Sequence, residues 1–158
     1  MCGFISIFGP DGRDVIQDAL TGLLAIQHRG QDAAGMATFG KKLEIKKGLG
    51  LVREVFQEKH LERMQGHMAV GHVRYPTVGD GASTDVQPFL QTFPVGIAMA
   101  HNGNVTNFQE LKRSYFQKRN ISLTSDCDLE AVLYVFTEVL INNRSTEITP
   151  EVVAAATR

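Results

Sequence analysis

The first nine residues, Met-Cys-Gly-Phe-Ile-Ser-Ile-Phe-Gly, constrain the fold of this chain more than any other stretch. The alternation that follows Cys2 predicts a buried β-strand, which would hold the start of the chain inside the molecule. If Met1 is removed, as the small Cys2 side chain permits, one residue carries a thiol and a free α-amine. An ordinary α-amine has a pKa of about 7.7 to 8.0, so it can act as base to the thiol. The alternative is that Cys2 is a small buried residue at a strand start.

Composition narrows the class of protein. With 158 residues, 43% of them hydrophobic, the chain is long enough for one domain with a core. Its formal net charge of -1 favours neither a nucleic acid nor an anionic membrane as partner. Apolar runs fall short of the roughly 18 residues of a membrane span, so we expect a cytoplasmic protein. Such a compartment favours two free thiols at Cys2 and Cys127.

The pattern of predicted elements favours an α+β fold. Apolar runs and period-two patterns predict strands at 3–8, 36–39, 43–47, 68–73, 88–93 and 95–100. Helical spacing predicts helices at 14–27, from 106 or 107 onward, and at 127–142, with a weakly helical segment at 52–64. Strands in hairpins, without regular strand–helix alternation, predict a mostly antiparallel sheet with helices on its face.

Three local features of the sequence add to this prediction. Either Thr106 with Gln109 or Asn107 with Glu110 fits a capping box at the start of the middle helix. The lysines near the second and third strands are interpreted as a solvated hairpin face: Lys41, Lys42, Lys46 and Lys47. The sequence has no C-x-x-C, no H-E-x-x-H and no His pair at helical spacing, so we expect no metal.

Four polar residues lie at the ends of predicted elements: Cys2, Arg74, Asn102 and Asp126. Each has an ordinary structural explanation when taken singly. Arg74 can be a surface cation, Asn102 part of a turn, and Asp126 a helix cap. Together with a cysteine at position two, they favour a common site built on rigid strands.

Six motifs follow one another along the first 130 residues. They are Met-Cys-Gly at 1–3, Gln-His-Arg-Gly-Gln-Asp-Ala-Ala-Gly at 27–35, Gly-His-Val-Arg-Tyr-Pro-Thr at 71–77, Gln-Pro-Phe at 87–89, His-Asn-Gly-Asn at 101–104 and Thr-Ser-Asp at 124–126. In this order they resemble the glutaminase domain of amidophosphoribosyltransferases, a class II glutamine amidotransferase family. Asparagine synthetase would be expected to have Pro at Gln31, and glucosamine-6-phosphate synthase an aromatic residue there and Trp at Tyr75.

The resemblance implies a fold and a reaction. The fold would be the αββα sandwich of N-terminal-nucleophile hydrolases, here truncated at its C-terminal end. Cys2 would attack the side-chain amide of glutamine, form a thioester and release ammonia, while its amine transfers the protons. The side-chain nitrogen of Asn102 and the backbone N–H of Gly103 would form the oxyanion hole.

The resemblance also implies how glutamine would be held. Arg74 would bind the α-carboxylate, with a hydroxyl from Thr77, and Asp126 would bind the α-ammonium. Tyr75 would be the lid residue over bound glutamine. Two further residues, Arg29 and Gly30, would shape the floor beneath Cys2. His28, His72 and His101 are interpreted as structural and satisfied by neighbours, and Cys127 as an inert thiol, although a helix N-terminus can make a thiol reactive.

Partners are implied in the same way. Residues 1–158 would be an incomplete glutaminase domain, and the phosphoribosyltransferase domain of the family is absent from the chain. In the complete enzyme that domain would combine ammonia with phosphoribosyl pyrophosphate to give phosphoribosylamine, the first step of de novo purine biosynthesis. Mg²⁺ is expected only with that domain, the glutaminase segment itself needing no cofactor. The complete enzyme is expected to be a homo-oligomer, with no nucleic-acid or membrane partner.

Other functions are also compatible with the sequence. The chain could be another class II glutamine amidotransferase, or a different N-terminal-cysteine hydrolase such as a bile-salt or penicillin-type acylase. An acylase would have no need for Arg74 and Asp126, a cation and an anion suited to bind the two charged groups of an amino acid. A non-catalytic domain would result if Met1 were retained, because the α-amine of Cys2 would then be blocked.

Overall fold

The computed structural model describes residues 1–75, 83–142 and 147–157. The strands within this part of the chain are β1 Gly3–Phe8, β2 Ala33–Phe39, β3 Leu43–Leu49, β4 Met68–Arg74, β5 Phe89–Gln91 and β6 Ile97–Met99. The α-helices are α1 Ile16–Ala25, α2 Val52–Val55, α3 Glu58–Leu61, α4 Phe108–Leu111, α5 Asp128–Asn142 and α6 Pro150–Ala156. The predicted α+β class with antiparallel strands is therefore confirmed.

Two antiparallel sheets form the framework. The larger has the strand order β1-β4-β2-β3, and the smaller is the hairpin of β5 and β6. In the larger sheet Gly3 pairs with Val73 and Ala33 pairs with Arg74, so the chain start lies beside the end of β4. The smaller sheet aligns Phe89 with Met99.

Strand β1 is present as predicted, but it is not a buried strand. It lies at an edge of the larger sheet, and only Gly3 among its residues is fully buried. The side chains of Phe4 and Phe8 are 52% and 60% exposed on the outward face. The strand is only half covered because it lies at the edge of the sheet. Alternation along a strand shows that one face is covered, but it does not show that the other face is covered too.

Helix α1 covers the larger sheet. Ile16, Ala19 and Leu23 recur at helical spacing and are buried against β1 and β4. Gly71 permits this packing, because a Cβ at that position would lie 2.9 Å from a methyl group of Leu23. Full burial of a side chain such as Leu23 contributes about 1.5 to 3 kcal/mol to folding.

Helix α5 covers the smaller sheet. Leu129 and Leu133 pack with Phe89 in a second apolar cluster. A third cluster forms around Phe116, which is 1% exposed and lies beyond α4. The chain passes from α4 into a π-helical segment, Lys112–Phe116, and a 3₁₀ turn, Gln117–Arg119. None of the described helices is long and apolar enough to cross a bilayer.

Two local predictions are wrong. Asn107 occupies the N-cap position of α4 but makes no side-chain cap hydrogen bond, so neither proposed capping box forms there. Lys47 is not part of a solvated face: its Nζ donates to the carbonyl oxygens of Val86 and Pro88, at 2.5 and 3.5 Å, and lies over the ring of Phe89. Carbonyl groups of a crossing segment hold this ammonium, which a sequence pattern along one strand cannot reveal.

The segment before β5 crosses the larger sheet at a point where only glycine fits. A Cβ on Gly35 would collide with the carbonyl oxygen of Gln87 and would lie 2.9 Å from the Cβ of Lys47. Glycine on β2 therefore lets residues 86–88 approach the sheet, and this approach brings the Gln87 side chain toward the cleft described below.

We predict that Gly35→Ala lowers the free energy of unfolding by about 2 kcal/mol, because backbone must move to admit the methyl group. The matched control is Gly48→Ala on the neighbouring strand, where the new Cβ would meet Val55 methyl groups at ordinary contact distances of 3.6 and 3.7 Å. Urea unfolding of both variants measures the difference. Equal losses at the two positions would contradict the crossing described for residues 86–88.

His72 is fully buried on β4. Burial lowers the pKa of its ring to about 4, an effect that the nearby His101 backbone and Asn102 side chain partly oppose. Within the described residues, neither ring nitrogen has a hydrogen-bond partner of standard geometry. The expectation that neighbours satisfy the ring is not met by these contacts, and its structural role stays a prediction.

The lowered pKa of His72 makes stability depend on pH. In the unfolded chain His72 binds a proton below its ordinary pKa of about 6.5, whereas in the folded chain it does so only below about pH 4. The contribution of His72 to the free energy of unfolding is therefore fully present above pH 6.5 and decreases as the pH falls toward 4. Between pH 7.5 and 5.0 the expected loss from this residue is about 2 kcal/mol. Urea unfolding at both values should show a smaller difference for His72→Gln. The same difference in both proteins would assign the pH dependence to other groups.

Candidate active site

A cleft opens where the ends of β1 and β4 meet the loops before α4 and α5. Its walls are formed by Cys2, Arg74, Tyr75, Gln87, His101, Asn102, Gly103, Asn104, Phe108, Asp126, Cys127 and Asp128. The cleft opens to solvent at its mouth, and the space between its walls and that mouth is about 570 Å³. Six residues predicted from the sequence thus lie together: Cys2, Arg74, Tyr75, Asn102, Gly103 and Asp126.

The pairing of β1 with β4 positions Cys2. The Tyr75 backbone N–H lies 3.4 Å from Cys2 Sγ, and the Cys2 thiol lies 3.6 Å from the Tyr75 carbonyl oxygen. Arg29 Nε donates to the Cys2 carbonyl oxygen at 3.0 Å. Met1 projects away and is 79% exposed. Both the sulfur and the carbonyl group of Cys2 are therefore held, whereas the residue before it is free of the core.

Arg29 contacts Cys2 and Gly30 contacts Arg74, whereas their assignment to the floor of the site stays a prediction. A Cβ on Gly30 would lie 2.6 to 2.7 Å from backbone atoms of Arg74, so only glycine allows the two segments to approach this closely. Just beyond, the Asp32 N–H donates to the Arg74 carbonyl oxygen at 3.2 Å. The segment at 30–32 is thus tied to the end of β4.

Arg74 is buried at the end of β4, with a side chain that is 10% exposed. Its Nη2 lies 3.4 Å from Oδ2 of Asp85, which is itself 2% exposed. The other oxygen of Asp85 accepts a hydrogen bond from the backbone N–H of Asp126 at 3.1 Å. Asp85 thereby connects the two residues of opposite charge that the sequence placed on separate elements.

Asp126 lies at the rim of the cleft. Its side chain is 70% exposed, and Oδ1 is 3.0 Å from the ammonium group of Lys112. Asp126, which the resemblance assigns to the α-ammonium of glutamine, is therefore already paired with Lys112. An exposed pair of this kind is weak, so an incoming ammonium group can replace Lys112 at little cost.

Asn102 and Gly103 are on an exposed loop that two polar side chains hold in place. Gln87 Oε1 accepts from the His101 backbone N–H at 2.8 Å. Asp128 Oδ1 lies 3.1 Å from His101 Nε2, within hydrogen-bond distance. Its other oxygen, Oδ2, accepts a hydrogen bond from the Val105 N–H at 2.5 Å. The loop is anchored on both sides of residues 102 and 103.

A second carboxylate orders the loop that carries Asp126. Glu130 accepts from the backbone N–H and hydroxyl groups of Thr124 and Ser125, all within 2.6 to 2.8 Å. Burial alone would raise the pKa of Glu130, but these hydrogen bonds outweigh it and the pKa is lowered. Glu130 therefore remains an anion that fixes the approach to α5.

Sequence reasoning did not assign these supporting roles. It gave no role to Asp85 or Gln87. The spacing of five and six residues from Ser125 and Thr124 to Glu130 is not that of a capping box, so no local signal marked it. Asp85 and Gln87 act across the fold, on partners at least 11 residues away.

The predictions for Cys127 and Thr77 have different outcomes. Burial raises the pKa of the Cys127 thiol, in agreement with an inert rather than an activated cysteine. Thr77 lies outside the described residues. Within residues 1–75, 83–142 and 147–157, no three side chains of His, Cys, Asp or Glu are grouped as a metal site.

Comparison with known proteins identifies relatives of the whole chain. It is 41% identical to the amidophosphoribosyltransferases of Pseudomonas aeruginosa and of Escherichia coli, in each case over 99% of its own length. The chain spans only 31% of the length of these two relatives. No family model matches it.

Solved structures show the same fold. The glutamine phosphoribosylpyrophosphate amidotransferase from B. subtilis, complexed with ADP and GMP, superimposes with a TM-score of 0.77 at 31% identity, covering 99% of this chain and 32% of that one. A structure described as the allosteric regulatory enzyme of purine biosynthesis gives a TM-score of 0.79 at 32% identity, with the same coverage. Over nearly its whole length the chain is therefore similar to amidophosphoribosyltransferases, of which it spans about a third.

Proposed function

We propose that the chain hydrolyses the side-chain amide of glutamine to glutamate and ammonia, with Cys2 as nucleophile. The observation that carries the proposal is that one cleft contains the thiol, the two candidate oxyanion donors Asn102 and Gly103, and a cation and an anion, Arg74 and Asp126. The relatives named above support the assignment, since they are named as amidophosphoribosyltransferases.

The proposed chemistry proceeds in two balanced steps. Cys2 Sγ attacks the amide carbon of glutamine to give a tetrahedral intermediate, and the thiol proton passes through the α-amine to the leaving nitrogen. The C–N bond then breaks, ammonia departs, and a thioester to Cys2 remains. Water, activated by the same amine, then attacks the thioester and gives glutamate and the free thiol. The Asn102 side-chain amide and the Gly103 N–H stabilise the oxyanion in both steps. No metal or cofactor is needed, because one residue supplies nucleophile and base.

This mechanism requires the removal of Met1, because the nitrogen of Cys2 is otherwise part of a peptide bond. The 79% exposure of Met1 is compatible with its removal, since no core contact is lost. The grip on Cys2 through its sulfur and carbonyl oxygen does not involve its nitrogen. The amine generated by trimming would therefore arise on a residue that is already positioned.

Substrate recognition is proposed to follow the charges of the amino-acid zwitterion. Arg74 binds the α-carboxylate, and Asp126 exchanges its contact with Lys112 for the α-ammonium of glutamine. Tyr75, which is 52% exposed beside Cys2, serves as the lid residue, with Thr77 contributing a hydroxyl. Arg29 and Gly30 support the floor.

The finer fold is also a proposal. We assign the chain to the αββα sandwich of N-terminal-nucleophile hydrolases, with α1 on the larger sheet and α5 on the smaller one. The contacts of Lys47 with Val86, Pro88 and Phe89 support face-to-face packing of the two sheets.

The fate of ammonia is proposed from the relatives. In a complete enzyme it would react with phosphoribosyl pyrophosphate on a C-terminal phosphoribosyltransferase domain, which would also use Mg²⁺, and the product would be phosphoribosylamine for purine biosynthesis. The coverage of about a third of each relative leaves length for such a domain. Assembly into a homo-oligomer is part of the same proposal.

Covalent labelling tests the nucleophile. The chain is incubated with a glutamine-like electrophile such as a diazoketone analogue, followed by intact mass measurement and peptide mapping. We expect one label, on Cys2, and only on molecules that lack Met1. Cys2→Ala should abolish the label, whereas the matched variant Cys127→Ala should retain it, because burial raises the pKa of the Cys127 thiol and keeps it protonated. Labelling of Cys127, or of chains that retain Met1, would refute the mechanism.

Steady-state kinetics test the oxyanion hole. Asn102→Ala should lower kcat for glutamine hydrolysis by about 10² to 10³ and change KM much less, since the donor acts on charge that develops in the transition state. Asn107→Ala is the control, because this exposed asparagine is on the same connection but does not line the cleft. A similar loss in both variants, or an effect of Asn102→Ala on KM alone, would count against the assigned role.

A further inference from the structure

We propose that Asp85 is a positioning residue that fixes both charged ends of the amino-acid clamp at once. The inference rests on the proposed hydrolysis of glutamine. Asp85 does not line the cleft, so it acts on the substrate through Arg74 and Asp126 rather than by contact.

The geometry divides the two oxygens of Asp85 between two elements. Oδ2 lies 3.4 Å from Arg74 Nη2 at the end of β4, and Oδ1 accepts the Asp126 backbone N–H at 3.1 Å, two residues before α5. These partners are 11 and 41 residues away along the chain. One carboxylate thus sets the distance between the site of the α-carboxylate and the site of the α-ammonium.

Charge explains why this position needs a carboxylate. A buried guanidinium is costly unless an anion accompanies it, and Arg74 and Asp85 have side chains that are 10% and 3% exposed. Guanidinium has five N–H donors in a fixed fork, so a contact at Nη2 sets the direction in which the other donors point. The same negative charge beneath the cleft also favours a substrate that carries an ammonium group near Asp126.

Substitution by asparagine separates the two contacts. In Asp85→Asn the amide oxygen can still accept from the Asp126 N–H, but the amide nitrogen then faces Arg74, so a donor meets a donor. We expect Arg74 to lose its orientation while the loop at 126 keeps its hydrogen bond. Asp85→Ser, which removes both contacts without placing a donor against Arg74, is the second variant should the first fail to fold.

Two electrophiles distinguish positioning from a general structural role. The glutamine-like diazoketone carries the α-amino acid group, whereas iodoacetamide reaches the Cys2 thiol without it. We expect Asp85→Asn to slow labelling of Cys2 by the glutamine analogue about 10-fold and to change labelling by iodoacetamide less than 2-fold, with KM for glutamine raised far more than kcat lowered. Asp18→Asn is the control, because Asp18 is on α1 and its pair with Arg13 is exposed.

The dependence on Arg74 is tested by a double-mutant cycle. If Asp85 acts through the guanidinium, Asp85→Asn should have a much smaller effect in an Arg74→Lys background than in the parent chain. Additive effects, equal slowing by both electrophiles, or no effect on either would overturn the proposal. Failure of the parent chain to react with the glutamine analogue, while it still reacts with iodoacetamide, would instead refute the proposed function on which the inference depends.

Discussion

The pairing of β1 with β4 is the constraint on which the rest of the site depends. It places the first residues antiparallel to the strand that ends at Arg74, so that Gly3 faces Val73 and the Cys2 sulfur meets the backbone of Tyr75. A shift of one residue would turn every side chain of β1 to the opposite face. The chain start, usually the least ordered part of a protein, is here determined by the register of a sheet.

Much of the framework could be predicted from the sequence because its signals are local. Helical spacing of Ile16, Ala19 and Leu23 reflects one covered face, and the observed helix, Ile16–Ala25, falls within the predicted range. The convergence of Cys2, Arg74, Asn102 and Asp126 was inferred from their positions at the ends of elements, and all four line the cleft. Their chemical roles remain proposals.

The supporting polar network could not be predicted, because its partners are distant in sequence. Asp85, Gln87 and Asp128 each bind a group on another element, and their sequence neighbours show no pattern that marks this. Lys47 was misinterpreted for the same reason, since the carbonyl groups that hold it come from residues 86 and 88. Side chains of this kind join loops to sheets, and only the folded chain reveals which loop each one reaches.

The outward position of Met1 has a consequence for the order of events in the life of the chain. Its side chain is largely in solvent, while the next residue is already gripped by Arg29 and by the backbone at position 75. The peptide bond after Met1 therefore joins an exposed residue to one that the fold already holds. If Cys2 acts as proposed, the chain with Met1 attached would be a precursor whose thiol is already positioned, and cleavage after Met1 would supply the missing amine.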